Sequence, residues 1–460
     1  MRNTTRDGLA WEDNGLGPEP RWTREPNIRA VKRVCRRHMG IADDAPDDAL
    51  DVAFLADGAF NKLYRIRSTQ GQLVMRVSLP VDPRHKTRGE AATLQLVRRK
   101  TDIPVPQILA FDDSRSSEIG YEWLLMERMA GTPAHYRWRK MTMAQKENLT
   151  VRLADFQAQL LRCGNCGDGF RGIGTLGTVL ERESRGILEP GPIVSSFFFS
   201  GDRYHYPISR GPFRSSHDWL QAQLNVIIKE HTTALAAAKN DDDREYAESA
   251  LRVARKLQRI LHKIFPAIVH PPERTVVWHD DLSLRNILVD NNGSVTAVIG
   301  WECVSTMPRW VASQVPEFLR GAAREIKPDR NCYTDVDNGS GDGSEDSLDN
   351  EGKTELYWIH LMEYEQTQLR KVYAARMRQL RPEWDVEVEE GALKVDFLGA
   401  VSRCGSGFYL RRIEQWVDAV ERKEYLPLME VLRVGIKTEK ARRTAKTAAS
   451  GTLTLVSRLS

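Results

Sequence analysis

No stretch of this sequence reaches the roughly 18 consecutive apolar residues that a membrane-spanning helix needs, so no membrane association is expected. Cysteine is scarce, six in 460 residues, too few to staple a chain of this length, and reduced thiols in a cytoplasmic protein are the expectation. Cys163-Gly-Asn-Cys166 stands without the second pair of a structural zinc site and reads as two ordinary loop thiols. Neither sign of charge is in excess: 67 Lys+Arg against 63 Asp+Glu leave a net +4, and no nucleic-acid partner is expected from so weak a field. The sequence has no Gly-x-Ser-x-Gly and no Gly-x-x-x-x-Gly-Lys-Ser/Thr, which disfavours a serine hydrolase and a P-loop enzyme. Its ten histidines show no His-Glu-x-x-His spacing. The polar start has no apolar stretch behind it, so no secretory signal is expected there. With 28% charged and 41% hydrophobic residues, the chain can bury a sizeable core in two or three domains, or in one large bilobal one.

What is present falls into two parts of different periodicity. Residues 1–25, rich in Gly, Pro, Trp and charge, read as a flexible leader. A helix is expected over 27–39, with Ile28, Val31 and Cys35 on one face, after which the period changes to two. Residues 52–56, 62–67 and 72–78 read as short strands with turns at Asp57-Gly58 and Gln70-Gly71. A helix over 84–100, stopped by Pro104-Val-Pro106, and two more strands over 107–111 and 122–128 complete a sheet unit with one inserted helix. The expectation is therefore an α+β protein with a small antiparallel-sheet lobe over 26–130 and a larger helical lobe over 131–436.

In the larger part, Thr142-Met-Ala-Gln145 has the pattern of a capping box, and Leu149, Leu153, Phe156 and Leu160 follow on one helical face. Residues 163–213 are loop-rich around Phe197-Phe198-Phe199, a run that reads either as core or as a lid over an apolar substrate. Helices are expected over 216–239 and 242–265, joined by the acidic turn Asp241-Asp242-Asp243, and again over 353–380 and 390–421. Residues 331–352 have hardly a bulky apolar side chain to offset the entropy of ordering, so that acidic loop is expected to be disordered. Residues 437–460 read as a basic, solvated tail.

The densest chemistry lies in Val276-Val-Trp-His279-Asp280-Asp281-Leu-Ser-Leu-Arg-Asn286-Ile287-Leu-Val289, which reads as a strand, a polar loop and the start of a hairpin closed by an Asn-Gly turn. An acid and an amide five positions apart in an exposed loop suit base work at Asp281 and metal ligation at the amide oxygen of Asn286. The alternative is that both merely satisfy turn backbone, as Asp and Asn commonly do.

The run His279-x-Asp281-Leu-x-x-x-Asn286, followed by a hairpin and by Ile299-x-Trp301-Glu302, resembles the catalytic segment of the aminoglycoside phosphotransferase family, relatives of protein kinases that phosphorylate small molecules. The resemblance implies a bilobal protein-kinase-like fold with ATP and Mg2+ in the cleft and a small-molecule acceptor. It also implies Asp281 as the base, Asn286 as a magnesium ligand and His279 as a brace behind the loop. Gly58, Asn61 and Lys62 then correspond to the loop that covers the phosphates, and Arg76 to the strand cation that pairs with them. Arg in place of Lys retains the charge and adds a fork suited to phosphate. Glu90, opening the inserted helix, matches the acid that pairs with that cation, and the backbone around Glu127 and Met129 the hinge that holds the adenine edge.

One position departs from the pattern. Gly300 stands where the family has the Asp that holds magnesium. Losing a metal role worth about 4 kcal/mol slows turnover roughly 10³-fold, enough to leave a pseudokinase or nucleotide-binding regulator. Either that is the outcome and Gly300→Asp is expected to restore a ligand, or Glu302, two residues on and on the same strand face, joins Asn286 in holding the ion.

Overall fold

The structure, a computed structural model, describes residues 6–13, 15, 17–42, 44–114, 116–163, 169–178, 188–267, 270–333, 351–405 and 407–434. The expectations for residues 437–460, for Cys166 and for most of 331–352 lie outside the described residues.

The N-terminus departs from its expected character. In place of a flexible leader, β1 (Leu9–Asp13) and β2 (Pro18–Trp22) pair antiparallel. Arg6 holds this hairpin down: its guanidinium lies over the rings of Tyr204 and Trp11, 4.5 and 5.2 Å from their centroids. It donates to the carbonyls of Phe199 (2.7 Å), Gly201 (3.3 Å) and Pro80 (3.3 Å), spanning both lobes. Burial pulls the Arg6 guanidinium down to about 10. Composition gave no sign of this, because the partners lie 74 to 195 positions away.

The sheet lobe follows from alternating apolar residues. Helix α1 (Ile28–His38) is capped by Asn27, whose side chain accepts from the Ala30 amide, and buries Ala30, Val31, Val34 and Cys35. Strands β3 (Leu50–Gly58), β4 (Asn61–Ser68), β5 (Gly71–Ser78), β6 (Ile108–Asp112) and β7 (Glu122–Glu127) form one antiparallel sheet in the order β3-β4-β5-β7-β6. The first turn lies further on than expected, since Gly58 pairs with Asn61 and leaves Ala59 and Phe60 at the bend. A long-range contact accounts for an aromatic there: Phe60 stacks edge-on against Phe199 at 5.2 Å.

The inserted helix α2 (His85–Lys100) belongs to both lobes. Its Ala92, Leu94, Leu96 and Val97 pack in the core of the larger lobe. Gly89 lets the helix approach β8 (Gly174–Thr178) closely, for a Cβ there would lie 2.3 Å from Thr175 Cγ2.

In the larger lobe the capping box forms as read: Thr142 accepts from the Gln145 amide and Gln145 from the Thr142 amide, opening α3 (Met143–Leu160). Leu149, Leu153, Phe156 and Leu160 are buried. Phe198 and Phe199 are core, and Phe197 is half-buried. Helices α4 (Ser216–Ala237) and α5 (Asp241–Ile264) pack side by side. The three acids expected in the turn between them instead form the first turn of α5, where the helix dipole favours them and Asn240 caps the end. After α6 (Glu355–Leu380), the expected last helix is two, α7 (Trp384–Arg403) and α8 (Leu410–Glu421), separated by a stretch containing Gly405 and Gly407. Strands β9 (Arg274–Trp278) and β12 (Ser305–Pro308) pair and continue to β8, while β10 (Ile287–Val289) and β11 (Val295–Val298) form a hairpin. Among the described residues no helix is long and apolar enough to cross a membrane.

Candidate functional site

The loop between β9 and β10 is held by its own polar residues. The Asn286 amide N–H donates to the Ser283 carbonyl (3.0 Å), and the Asn286 side chain donates through Nδ2 to both the carbonyl and the carboxylate of Asp281, each at 2.8 Å. Asp281 is exposed, and Asn286 fixes the direction of its carboxylate. His279 lies buried beneath: Nε2 donates to the Ile299 carbonyl (3.0 Å), and the ring meets Trp301 edge-on at 4.7 Å. Burial lowers the imidazole pKa, so this histidine is neutral and structural in its contacts. Asp280 is exposed at its surface, but desolvation by the protein around it, with the charge of Asp281 adding to it, pushes its carboxyl up to about 6.

On the sheet-lobe side of the 299–302 segment is a buried cluster of charge. Arg76 on β5 pairs through Nη1 with Glu90 on α2 and through Nη2 with Glu302 at 2.8 Å. Lys86, in the first turn of α2 and 1% exposed, reaches Glu302 (2.8 Å), Asn61 Oδ1 (2.6 Å) and Ser78 Oγ (3.3 Å). Asn61 also donates to Glu302 at 2.7 Å. Glu302 Oε2 therefore accepts from three donors at once. Burial opposes its charge, but Arg76 and Lys86 outweigh that and hold the carboxyl at about 2. Glu90 goes the other way, its pKa raised because burial exceeds the pull of the same two cations.

The structure thus brings Arg76, Glu90, Asn61 and Glu302 together, and Asp281 with Asn286 over His279. Lys62 does not join them: its ammonium is bound by Glu25 (2.5 and 2.6 Å) beneath the Trp22 ring. Gly58 closes the β3–β4 turn opposite Asn61. At the end of β7, where the adenine-holding hinge is expected, the Glu127 amide donates to the Gln107 carbonyl (2.8 Å), and Met129 follows, half-buried. Lys86 was missed from the sequence. Its signal was there: the first turn of α2 has His85, Lys86 and Arg88 and no acid, against the preference of the helix dipole, and Lys86 shares a face with Glu90 four residues on.

These residues do not fit a magnesium ion held in the manner of kinases. Position 300 has no carboxylate and takes φ +75°, and a Cβ there would lie 2.6 Å from Cγ and Oδ1 of Asn286. The Asn286 side chain donates to Asp281 through Nδ2, and Glu302 Oε2 is taken up by Asn61, Arg76 and Lys86, so the acid nearest to position 300 is neutralised by two cations. Among the described residues no group of three or more His, Cys, Asp or Glu side chains could hold a metal. Gly300→Asp accordingly introduces strain and a clash, not a simple rescue.

Glu302 gives a pH-dependent expectation. A carboxylate lowered from 4.5 to about 2 by folding adds stability that is present above pH 4.5 and lost as pH falls towards 2. Thermal melts should show the Glu302→Gln protein losing less stability than the wild type between about pH 5 and pH 3; an identical decline would mean that the cluster does not hold this charge.

A family model described as the phosphotransferase enzyme family matches residues 51–311. A subtelomeric hrmA-associated cluster protein of Aspergillus fumigatus is 26% identical over 313 residues, covering 58% of this chain and 60% of that protein. The altered inheritance of mitochondria protein 9, mitochondrial, of Meyerozyma guilliermondii is 23% identical over 128 residues, 26% of this chain and 21% of that one. The chain thus spans at most 60% of the length of these two relatives. Among solved structures, aminoglycoside phosphotransferase APH(4)-Ia is similar at 15% identity and TM-score 0.43, over 87% of this chain and all (100%) of that one.

Proposed function

The chain belongs to the phosphotransferase enzyme family, and from that premise we propose that it takes ATP into the cleft between its lobes and transfers the terminal phosphoryl group to a hydroxyl of a small molecule. The observation that supports this reading is the segment 299–302, which joins the two halves of the site. The Ile299 carbonyl meets His279, Gly300 lies against the Asn286 amide, and Glu302 meets Arg76 and Lys86. In this reading Asp281, oriented by Asn286, takes the proton of the acceptor hydroxyl, and Arg76, held by Glu90, faces the phosphates.

A second reading, a nucleotide-binding regulator without turnover, is favoured by Gly300 and the Asn286 side chain packed against it. Terminally labelled ATP offered with a panel of hydroxyl compounds, including aminoglycosides, choline and homoserine, separates the two. Labelled product whose yield depends on the acceptor supports transfer. Thermal stabilisation by ATP with no labelled product selects the regulator, and no stabilisation at all excludes both.

A further inference from the structure

We propose that Lys86 is a second phosphate-binding cation beside Arg76, and that this pair, in place of a magnesium ion, meets the charge of a polyphosphate in the cleft, with Glu302 as the internal anion that occupies the two cations until the polyphosphate arrives. The nucleotide in this statement rests on the proposed function; the cation pair rests on the geometry alone.

Three observations lead to it. First, the place of a metal-binding acid is closed: position 300 is glycine at φ +75°, and the Asn286 amide fills the space a side chain would enter. Second, a cation stands nearby that the family resemblance did not call for. Lys86 is 1% exposed and comes from the first turn of a helix, where the dipole disfavours a positive charge. Its neighbours Asn61 and Ser78 lie on the strands flanking the β3–β4 turn and the strand of Arg76, so the ammonium is directed under the hairpin at the same point as the guanidinium. Third, both cations converge on one carboxylate oxygen, Glu302 Oε2, at 2.8 Å each, with Asn61 as a third donor at 2.7 Å. Two cations and an amide converging on one oxygen is the donor set that a phosphate oxygen takes.

Charge balance gives the exchange its direction. Arg76 and Lys86 are matched by Glu90 and Glu302 as long as Glu302 stays in place. Glu90 comes from α2, which is packed into the larger lobe, whereas Glu302 sits on the short stretch between β11 and β12 and is partly exposed. Glu302 is therefore the partner that can leave, and its departure uncovers one net positive charge for an incoming phosphate.

The test is calorimetric titration of the full chain with ATP and, separately, with inorganic tripolyphosphate, each in excess EDTA and in magnesium. Affinity for both ligands in EDTA should be within about threefold of that in magnesium, Lys86→Met should weaken it at least about tenfold, and Glu302→Gln should tighten it about tenfold by removing the competitor. Glu302→Gln keeps the shape of the cluster, so the outcome does not depend on whether Lys86→Met folds. Binding that requires magnesium, or that Glu302→Gln weakens, overturns the proposal and leaves the nucleotide reading intact. Tripolyphosphate bound in EDTA without ATP supports the cation pair and removes the nucleotide reading; neither ligand bound under either condition overturns both.

Discussion

Replacing Asp281 by Asn is expected to lower turnover at least about 10³-fold while leaving ATP affinity within a few-fold of the wild type. The asymmetry follows from position. Asp281 is exposed in the β9–β10 loop with Asn286 donating to its carboxylate, whereas the cations lie on β5 and α2. An Asn at 281 can still accept from Asn286 through its amide oxygen, so the loop keeps its shape, but it cannot take a proton from the acceptor. Steady-state kinetics at saturating acceptor, paired with a direct ATP titration, separates the two effects. Turnover retained within tenfold of wild type would remove Asp281 as the base; turnover and affinity lost together would point to collapse of the loop.

The largest stability effect is expected at Trp301. Its side chain is 1% exposed, its indole donates to the Val298 carbonyl at 2.8 Å, and its ring packs against His279. Trp301→Ala should cost about 3–5 kcal/mol of unfolding free energy, since a cavity of that size next to a buried imidazole cannot close. Trp301 also lies between Gly300 and Glu302, so the same substitution should loosen Glu302 from Arg76 and Lys86. Urea denaturation gives the first quantity. A loss below about 1 kcal/mol would mean that the segment is held by backbone alone.

How much of this could be read in the chain depends on the distance over which each feature is determined. The five-strand sheet with its inserted helix was legible because alternation and helical period are local: the helix read over 84–100 is α2, His85–Lys100, and the Thr142–Gln145 capping box closes within four residues. Asp281 and Asn286 were legible for the same reason, being five positions apart in one loop. What was not legible is set by contacts across the chain. Asn61 meets Glu302 241 positions away, so no periodicity could show that Glu302 is taken up by the cluster. Lys62 follows the same rule, for its partner Glu25 lies in a hairpin that composition had read as a loose leader. Gly300 was visible as a missing acid, yet its left-handed backbone and the Asn286 amide against it belong to the fold.

The most direct test of the central claim, that the cleft is a phosphate site facing Asp281, is a crystal structure of the full chain with a non-hydrolysable ATP analogue. The expected result is a triphosphate within hydrogen-bonding distance of Arg76 and Lys86, its terminal phosphate turned towards Asp281, and Glu302 withdrawn from both cations. An analogue bound elsewhere on the protein, or a cleft at saturating analogue that still holds Glu302 on Arg76 and Lys86 with no phosphate between the lobes, would contradict it.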